Sequence, residues 1–280
     1  MAAIEYATKY SGAVDERFKE VSKTSLCVND DYDFTGGKSI KLYNISTAKM
    51  NDYNRTKTDG SSRYGAVENL NTTTQELILQ KDRSFTFVID KMDADETAQA
   101  LESGKALDRQ IREVIVPEID TYRFAKMAEL AGTKATATKI TKTNVYDLVT
   151  NATEILDDLE VPQTDRFLVV TPTTYKFLKA SPDVILETDV GQDMRTKGVI
   201  AMLDGMFIIK VPSSRLPENT GFIVGHKIAI TSPMKLAEYK IHQNPPGYSG
   251  DLVEGRVYYD CFIPENKQAA VYFQPIPAEA

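Results

Sequence analysis

Residues 80–97 read QKDRSFTFVIDKMDADET and hold the most informative change of pattern in the sequence. Phe85, Phe87 and Ile89 alternate with their neighbours, which is typical of a β-strand. The acidic residues that follow at once are Asp93, Asp95 and Glu96. Because carboxylates are favourable at the positive end of a helix dipole, the sequence predicts a strand that leads directly into a helix.

The predicted helix is the longest regular feature of the chain. Between residues 93 and 131, apolar side chains recur at spacings of three, four or multiples of these, which predicts a helix about 55 to 60 Å long. These positions are Leu101, Leu107, Ile111, Val114, Ile115, Ile119, Tyr122 and Leu130. Gly132 lies where a C-terminal cap is expected. Pro117 must remove one backbone hydrogen bond, so we predict a kink or break near residues 113–117.

The chain before this strand is mostly polar. Residues 1–36 are predicted to form an arm that needs a neighbour to order it. Strand patterns occur at residues 39–45 and 75–79, and the polar segment 46–74 separates them. Compact domains rarely keep so long a connection without a use. The segment is therefore either a disordered surface insertion or part of a long hairpin that lies on another subunit, which would stabilise its strands.

The second half of the sequence mixes helices and strands. A helix is predicted at residues 144–159, a buried strand at 166–171, and a helix at 172–180 with Thr171 as N-cap. Further strands are predicted at residues 206–211, 221–224, 228–230, 236–241, 255–263 and 268–273. No period of twenty to fifty residues repeats, which excludes a solenoid. The sequence as a whole predicts an α+β fold.

Composition restricts the classes of protein that need to be considered. The chain has 280 residues and a net charge of -7, and no apolar run approaches the ~18 to 20 residues of a membrane span. Residues 1–25 show no secretory signal, so we expect a protein made and kept in the cytosol unless a larger assembly carries it out. A net negative charge argues against a protein whose main task is to bind nucleic acid, but it does not exclude a container for DNA.

Motifs for catalysis are missing from the sequence. There is no nucleophile elbow, phosphate-binding loop, dinucleotide-binding glycine motif or His-Glu-x-x-His. His226 and His242 have no partner pattern, and Cys27 and Cys261 match neither a metal site nor a disulfide framework. One acidic loop could hold a divalent cation through oxygen ligands. Its carboxylates are Glu187, Asp189 and Asp193. We therefore expect no catalytic residue, no cofactor and no metal ion.

This order of elements resembles the major capsid proteins of tailed bacteriophages, which share the HK97-type fold. The strand that passes into an acidic helix start at residues 80–97 carries the resemblance most clearly. The resemblance implies an N-terminal arm, an extended β-hairpin loop, a peripheral domain with the long spine helix, an axial domain and returning peripheral strands. In this chain these parts correspond to residues 1–36, 37–90, 91–142, 143–235 and 236–280.

The resemblance implies a structural protein and not an enzyme. Copies of the chain would assemble through pentamers and hexamers into an icosahedral or prolate shell around double-stranded DNA, without sequence-specific binding and without a membrane. The protein would be assembled in the bacterial host cytoplasm and reside in the virion. No scaffolding segment precedes the arm in this sequence, so a separate scaffolding protein is expected. A portal protein, and in some relatives decoration proteins, would be further partners.

Charged residues are the candidates for contacts between subunits. The basic ones lie in the polar loop: Lys49, Arg55, Lys57 and Arg63. We expect them to meet the acidic start of the neighbouring spine, at Asp93, Asp95 and Glu96. The predicted kink at Pro117 would help one sequence to occupy non-identical positions in the shell.

Two other functions remain open. An encapsulin-like nanocompartment shell resembles the same fold but encloses protein cargo. A metal-dependent soluble α+β enzyme would use the acidic loop at residues 187–193.

Overall fold

The computed structural model describes residues 22–29, 31, 39–56, 62–66, 68–96, 102–181 and 199–278. The chain divides into two compact units. The first consists of Met1–Asp33 with Gln80–Ala280, and the second is Phe34–Leu79.

The second unit is an antiparallel hairpin. Strand β1 (Ser39–Ile45) pairs with β2 (Thr72–Ile78) in one continuous register, from Ser39 opposite Ile78 to Ile45 opposite Thr72. The part of the polar segment that the structure describes therefore begins and ends in paired strands. This agrees with the predicted hairpin and not with a disordered insertion.

The first unit contains a three-stranded antiparallel sheet. Its strands are β3 (Lys81–Asp90), β9 (Met234–Gln243) and β10 (Gly250–Tyr259), with β10 in the centre. Buried and exposed residues alternate along most of β10, as expected for a sheet with one covered face. Gly255 lies opposite Phe85, and a Cβ atom there would come within 2.2 Å of the Phe85 ring. The absence of a side chain at Gly255 thus lets the aromatic ring lie over the central strand.

The predicted spine is helical, but it is not one α-helix. Its described segments are α1 (Lys91–Glu96), α2 (Ser103–Gln110), a π-helical turn (Ile111–Ile115) and α3 (Val116–Glu129). In the π-helical turn the Val116 amide donates to the Ile111 carbonyl, five residues back. Pro117 follows at the start of α3, where a missing amide hydrogen costs least. The irregularity thus precedes the proline, and a bend of the axis at Pro117 stays a prediction.

A six-stranded sheet forms the rest of the first unit. Its order is β4-β11-β8-β5-β7-β6, from strands β4 (Thr133–Lys134), β5 (Arg166–Val170), β6 (Val199–Leu203), β7 (Met206–Lys210), β8 (Thr220–His226) and β11 (Val271–Pro275). Helices α4 (Val145–Asp158) and α5 (Pro172–Ala180) cover one face, and α3 contributes to the core on the other. Neighbouring residues of β5 belong to opposite cores: Phe167 and Val169 to one, Leu168 and Val170 to the other. Burial on both faces explains why residues 167–170 of this strand are continuously apolar.

The structure corrects some predicted elements of the second half. The strand predicted at residues 228–230 is a 3₁₀ turn (Lys227–Ala229), because the His226 ring accepts a hydrogen bond from the Ile228 amide and so caps the turn. Strand β6 was not predicted. Strand β11, which we assigned to the returning peripheral strands, pairs with β8 and β4 instead. The predicted boundary between the axial domain and the returning peripheral strands, at residue 236, therefore falls between strands of one sheet. The domain limits stay predictions.

Candidate inter-subunit surfaces and arm anchor

The register of the hairpin continues beyond its regular strands. The Ser46 amide donates to the Asn71 carbonyl at 2.9 Å, the next position in the register of β1 and β2. Further out, the Asn54 amide donates to the Arg63 carbonyl at 3.0 Å, again at matching positions. The seven residues of β1 span about 23 Å at ~3.3 Å per residue, and the two matched bonds continue the same pairing toward the tip. A large part of the polar segment is therefore a long two-stranded ribbon.

Aromatic side chains support the same register near the tip of the ribbon. The rings of Tyr53 and Tyr64 lie 5.0 Å apart, centroid to centroid, with an edge-to-face geometry. Both side chains are exposed, Tyr64 by 77%. Sequence reasoning missed this pair because the intervening loop hides its cross-strand spacing.

The basic candidates of the ribbon are solvent-exposed. Lys49, Arg55 and Arg63 are all exposed, and the bond between Asn54 and Arg63 brings Arg55 and Arg63 to the same end of the ribbon. The Lys49 amide donates to the Glu68 carboxylate across the ribbon at 3.3 Å. Lys57 lies outside the described residues. These positions leave the basic side chains on a surface from which they can contact another molecule.

The acidic candidates of the spine lie in α1. Asp93 is half-buried and lines a groove of about 490 Å³, whereas Asp95 is exposed. Glu96 is the last residue of α1, and its side chain lies outside the described part of the structure. The contacts that these residues make with other subunits stay predictions.

A buried carboxylate holds the end of the N-terminal arm. Asp120 of α3 is fully buried and accepts hydrogen bonds from the Ser22 hydroxyl (2.7 Å), the Lys23 amide (2.9 Å) and the Thr24 hydroxyl (2.6 Å). The buried Arg215 guanidinium completes the site with a bond of 2.9 Å. Hydrogen bonds to a charged group are the stronger kind, so this site fixes the chain at residues 22–24.

A second buried carboxylate extends this network. Asp260 accepts from the Tyr122 hydroxyl (2.7 Å), the Gln80 amide (2.8 Å) and the Cys261 amide (2.8 Å). Burial and the neighbouring Asp260 raise the pKa of Tyr122, so its hydroxyl stays a donor. Arg123 donates to Thr24 and Ser232, and Ser232 donates to the Asp260 carbonyl. Hydrogen bonds through Thr24, Arg123 and Ser232 thus link the Asp120 carboxylate to the main-chain carbonyl of Asp260.

The end of the arm is ordered by the chain's own residues. The sequence predicts an arm that only a neighbouring subunit would order, but residues 22–29 are held within the chain itself. The Asn29 amide donates to the Ile230 carbonyl at 2.8 Å, and Cys27 and Val28 are buried in the main core. Residues 1–21 of the predicted arm lie outside the described part. Sequence reasoning missed the anchor because its partners lie about a hundred positions apart.

The two cysteines and one of the two histidines, His226, are buried. Burial raises the pKa of the Cys261 thiol to about 12 and also raises that of Cys27. Burial lowers the pKa of His226, whose Nδ1 accepts a hydrogen bond from the Ile228 amide. His242 lies at the surface, with its Nε2 atom 3.3 Å from the Glu254 carboxylate.

Among the described residues, no cluster of His, Cys, Asp or Glu could hold a metal ion. The acidic loop with Glu187, Asp189 and Asp193 lies outside those residues. No described helix is long and apolar enough to cross a membrane.

Comparisons with solved structures match nearly the whole chain. A chain from Mycobacterium phage Che8 superposes with a TM-score of 0.74 at 16% identity, covering 98% of each chain. A chain from the capsid structure of the cyanophage P-SCSP1u gives a TM-score of 0.73 at 14% identity, covering 98% of this chain and 94% of that chain. A chain from the mature capsid of bacteriophage PhiM1 gives 0.71 at 13% identity, covering 99% and 93%.

These comparisons establish the class of fold. The chain has the α+β fold of phage capsid structures, which confirms the predicted HK97-like architecture. No protein-family model matches the chain, and no curated protein matches it in sequence. At these identities the similarity concerns the fold alone.

Proposed function

We propose that this chain is the major shell protein of a tailed-phage head, which self-assembles through pentamers and hexamers around double-stranded DNA. One observation carries the proposal: the chain and the capsid chain of the cyanophage P-SCSP1u cover 98% and 94% of each other in a single fold. The protein acts in the virion, as a structural component and not as an enzyme.

Its mechanism is geometric. A ring closes when each subunit presents one surface to its neighbour and receives that neighbour from the other side. The hairpin Phe34–Leu79 suits such a contact, since it is a compact unit of its own and a two-stranded ribbon is marginally stable alone in water. It lies on the next subunit, where its flexibility and that of the spine near Pro117 let one sequence fit five- and six-fold positions.

Charged residues add to this contact. The basic residues of the hairpin, Lys49, Arg55, Lys57 and Arg63, meet the acidic spine start of the neighbour at Asp93, Asp95 and Glu96. A single exposed ion pair contributes about 0 to 1 kcal/mol, so only many repeated contacts stabilise a shell.

Further partners follow from this function. A separate scaffolding protein, a portal protein and, as in some phage heads, decoration proteins would join the shell during assembly in the bacterial host cytoplasm. The enclosed DNA is held without sequence-specific contacts, in keeping with the net charge of -7. The shell requires no cofactor.

Negative-stain electron microscopy of the chain, expressed alone and with its genomic neighbours, tests the proposal. We expect closed shells, tubes or isolated hexamers. Nuclease-protected DNA inside the shells would support a phage head, whereas small shells filled with protein would favour an encapsulin-like compartment. A uniform monomer or dimer under all these conditions would contradict the proposal.

A further inference from the structure

Asn29 fastens the end of the described arm to a single turn of the chain. Its side-chain amide donates to the Lys227 carbonyl at 2.8 Å, and its main-chain amide donates to the Ile230 carbonyl at 2.8 Å. Its side-chain oxygen accepts a hydrogen bond from the Thr231 hydroxyl at 2.9 Å. We call these four residues the clasp. Because Lys227 and Ile230 lie at the two ends of one 3₁₀ turn, the conformation of that turn decides whether Asn29 is held.

His226 fixes the conformation of this turn. It is the last residue of β8, it is only 5% exposed, and its Nδ1 atom accepts a hydrogen bond from the Ile228 amide at 3.0 Å. A ring nitrogen that accepts a hydrogen bond carries no proton, so this bond assigns the neutral ring with its proton on Nε2. Nε2 is buried and faces the Thr164 carbonyl, but it makes no well-formed hydrogen bond within the described residues. A second proton therefore binds at Nδ1, where it displaces the bond from Ile228.

The surroundings of His226 act in both directions on its protonation. Burial of the ring is the largest effect and lowers the pKa of His226, while Asp165 acts against this shift and Arg166 acts with it. Arg166 lies opposite His226 in the register of β5 and β8, and its guanidinium contacts the Asp157 carboxylate at 2.7 Å. The remaining charged residues on the turn, on the arm and on the neighbouring 3₁₀ turn are Lys227, Asp31, Glu265 and Lys267. The net effect keeps the ring neutral in the closed clasp at neutral pH.

We propose that protonation of His226 opens the clasp and releases the end of the arm at Asn29. The added proton on Nδ1 faces the Ile228 amide hydrogen, so the bond that holds the turn is lost. A charged imidazolium is unfavourable in a buried site, so the ring moves toward water and the turn no longer presents its carbonyls to Asn29. The Asp120 anchor uses none of these groups and stays closed. The inference concerns a single copy of the chain and goes beyond the proposed function.

The size of the effect follows from the uptake of one proton. The open clasp binds this proton near pH 6.5, the ordinary range of a histidine, whereas the closed clasp binds it only at lower pH. The ratio of open to closed clasp should therefore stay constant above about pH 6.5 and rise by at most about tenfold for each pH unit below it. A steeper rise would require several groups to titrate and would contradict a switch made by His226 alone.

Thiol labelling measures the opening of the clasp. Cys27 lies between the Asp120 anchor and Asn29, and Cys261 belongs to the same core; both are buried, and they are the two cysteines of the chain. The unassembled chain is treated with dithiodipyridine, which reacts with thiols at acid pH, at several values between pH 7.5 and pH 5. Mass spectrometry of the peptides separates the two sites. Because general unfolding exposes both thiols, the labelling rate of Cys27 relative to Cys261 reports the clasp, and we expect it to rise below about pH 6.5.

The two histidines of the sequence provide matched variants. In His226→Asn the side-chain oxygen can still accept from the amide two residues on, but it does not titrate, so the relative rate should no longer depend on pH. His242→Asn changes a surface residue and should behave as the unmodified chain does. Asn29→Ala removes the side-chain bonds of the clasp and should speed the labelling of Cys27 at pH 7.5. Circular dichroism at pH 7.5 checks that each variant folds.

Several results would overturn the inference. One is a relative rate for Cys27 that stays constant from pH 7.5 to pH 5 in the unmodified chain, and this holds whether or not His226→Asn folds. The others are a rise of the same size in His226→Asn, the loss of the rise in His242→Asn, or unchanged labelling in Asn29→Ala. None of these results bears on the shell function, which the appearance of assembled particles tests.

Discussion

Replacing Asp120 by alanine should be among the most destabilising single changes in the chain. Asp120 is fully buried and accepts four hydrogen bonds, three from the arm residues 22–24 and one from Arg215. Asp120→Ala removes all four and leaves the buried Arg215 guanidinium without its carboxylate. The substitution should therefore destabilise the core and weaken the attachment of arm residues 22–24.

The magnitude follows from the burial of the pair. Removing one partner of a buried ion pair typically costs about 3 to 5 kcal/mol, because the remaining charge is held away from water. For a protein of this size, each kcal/mol lowers the melting temperature by roughly 2 to 4 °C, so Asp120→Ala should lower it on the order of 10 °C. Asp120→Asn keeps the size and one acceptor oxygen and should cost less.

Urea unfolding of the unassembled chain measures this effect. The sequence contains no tryptophan and 14 tyrosines, so tyrosine fluorescence and far-UV circular dichroism are suitable probes. Glu118→Ala is a matched control on the same helix: its ion pair with Arg83 is exposed to solvent and should contribute little to stability. Limited proteolysis should cleave near residues 22–24 faster in Asp120→Ala than in the unmodified chain.

A double-mutant cycle provides the decisive comparison. Arg215→Met removes the buried charge, so Asp120→Ala with Arg215→Met should be less destabilising than the sum of the two single changes, with a coupling of about 2 kcal/mol. A loss below about 1 kcal/mol in Asp120→Ala, or strictly additive changes, would refute the proposed anchor.

Three further predictions concern single residues of the first unit. Burial lowers the pKa of His226, so the unfolded state takes up a proton near pH 6.5 while the folded state does so only at lower pH. The free energy of unfolding should therefore fall as the pH drops below about 6.5, and it should fall less steeply in His226→Asn. Urea unfolding of both proteins at pH 5 to 8 measures this difference. Gly250 has a φ of +146°, and a Cβ atom there would lie 2.1 Å from the Ile89 carbonyl oxygen. Gly250→Ala should therefore lower the melting temperature, and an unchanged melting temperature would contradict this packing. The Thr171 hydroxyl caps α5 by accepting from the Thr174 amide at 3.1 Å, so Thr171→Ala should lower the free energy of unfolding by about 1 kcal/mol while Thr171→Ser keeps most of it.

Local patterns made much of the fold predictable. Strand β3 and the acidic start of α1 follow directly from the alternation and charges in residues 80–97. The buried strand β5 and the Pro-initiated helix α5 were also expected, because their signals lie within a few neighbouring residues.

Features that depend on distant partners could not be predicted. Strand β11 joins the six-stranded sheet through β8, about fifty residues away, and nothing in its own pattern selects that neighbour. The Asp120 anchor needs groups from three separate segments. The pairing of the Tyr53 and Tyr64 rings could not be predicted either, because the two residues lie opposite each other only once the cross-strand register is known.

We expect this chain to build a closed shell from repeated copies of itself. Cryo-electron microscopy of particles assembled from the chain tests this expectation. The reconstruction should show rings of five and six copies of this one fold, with the hairpin of each copy lying on its neighbour. A reconstruction in which the hairpin makes no contact with another copy, or a chain that stays monomeric with every candidate scaffold, would contradict it.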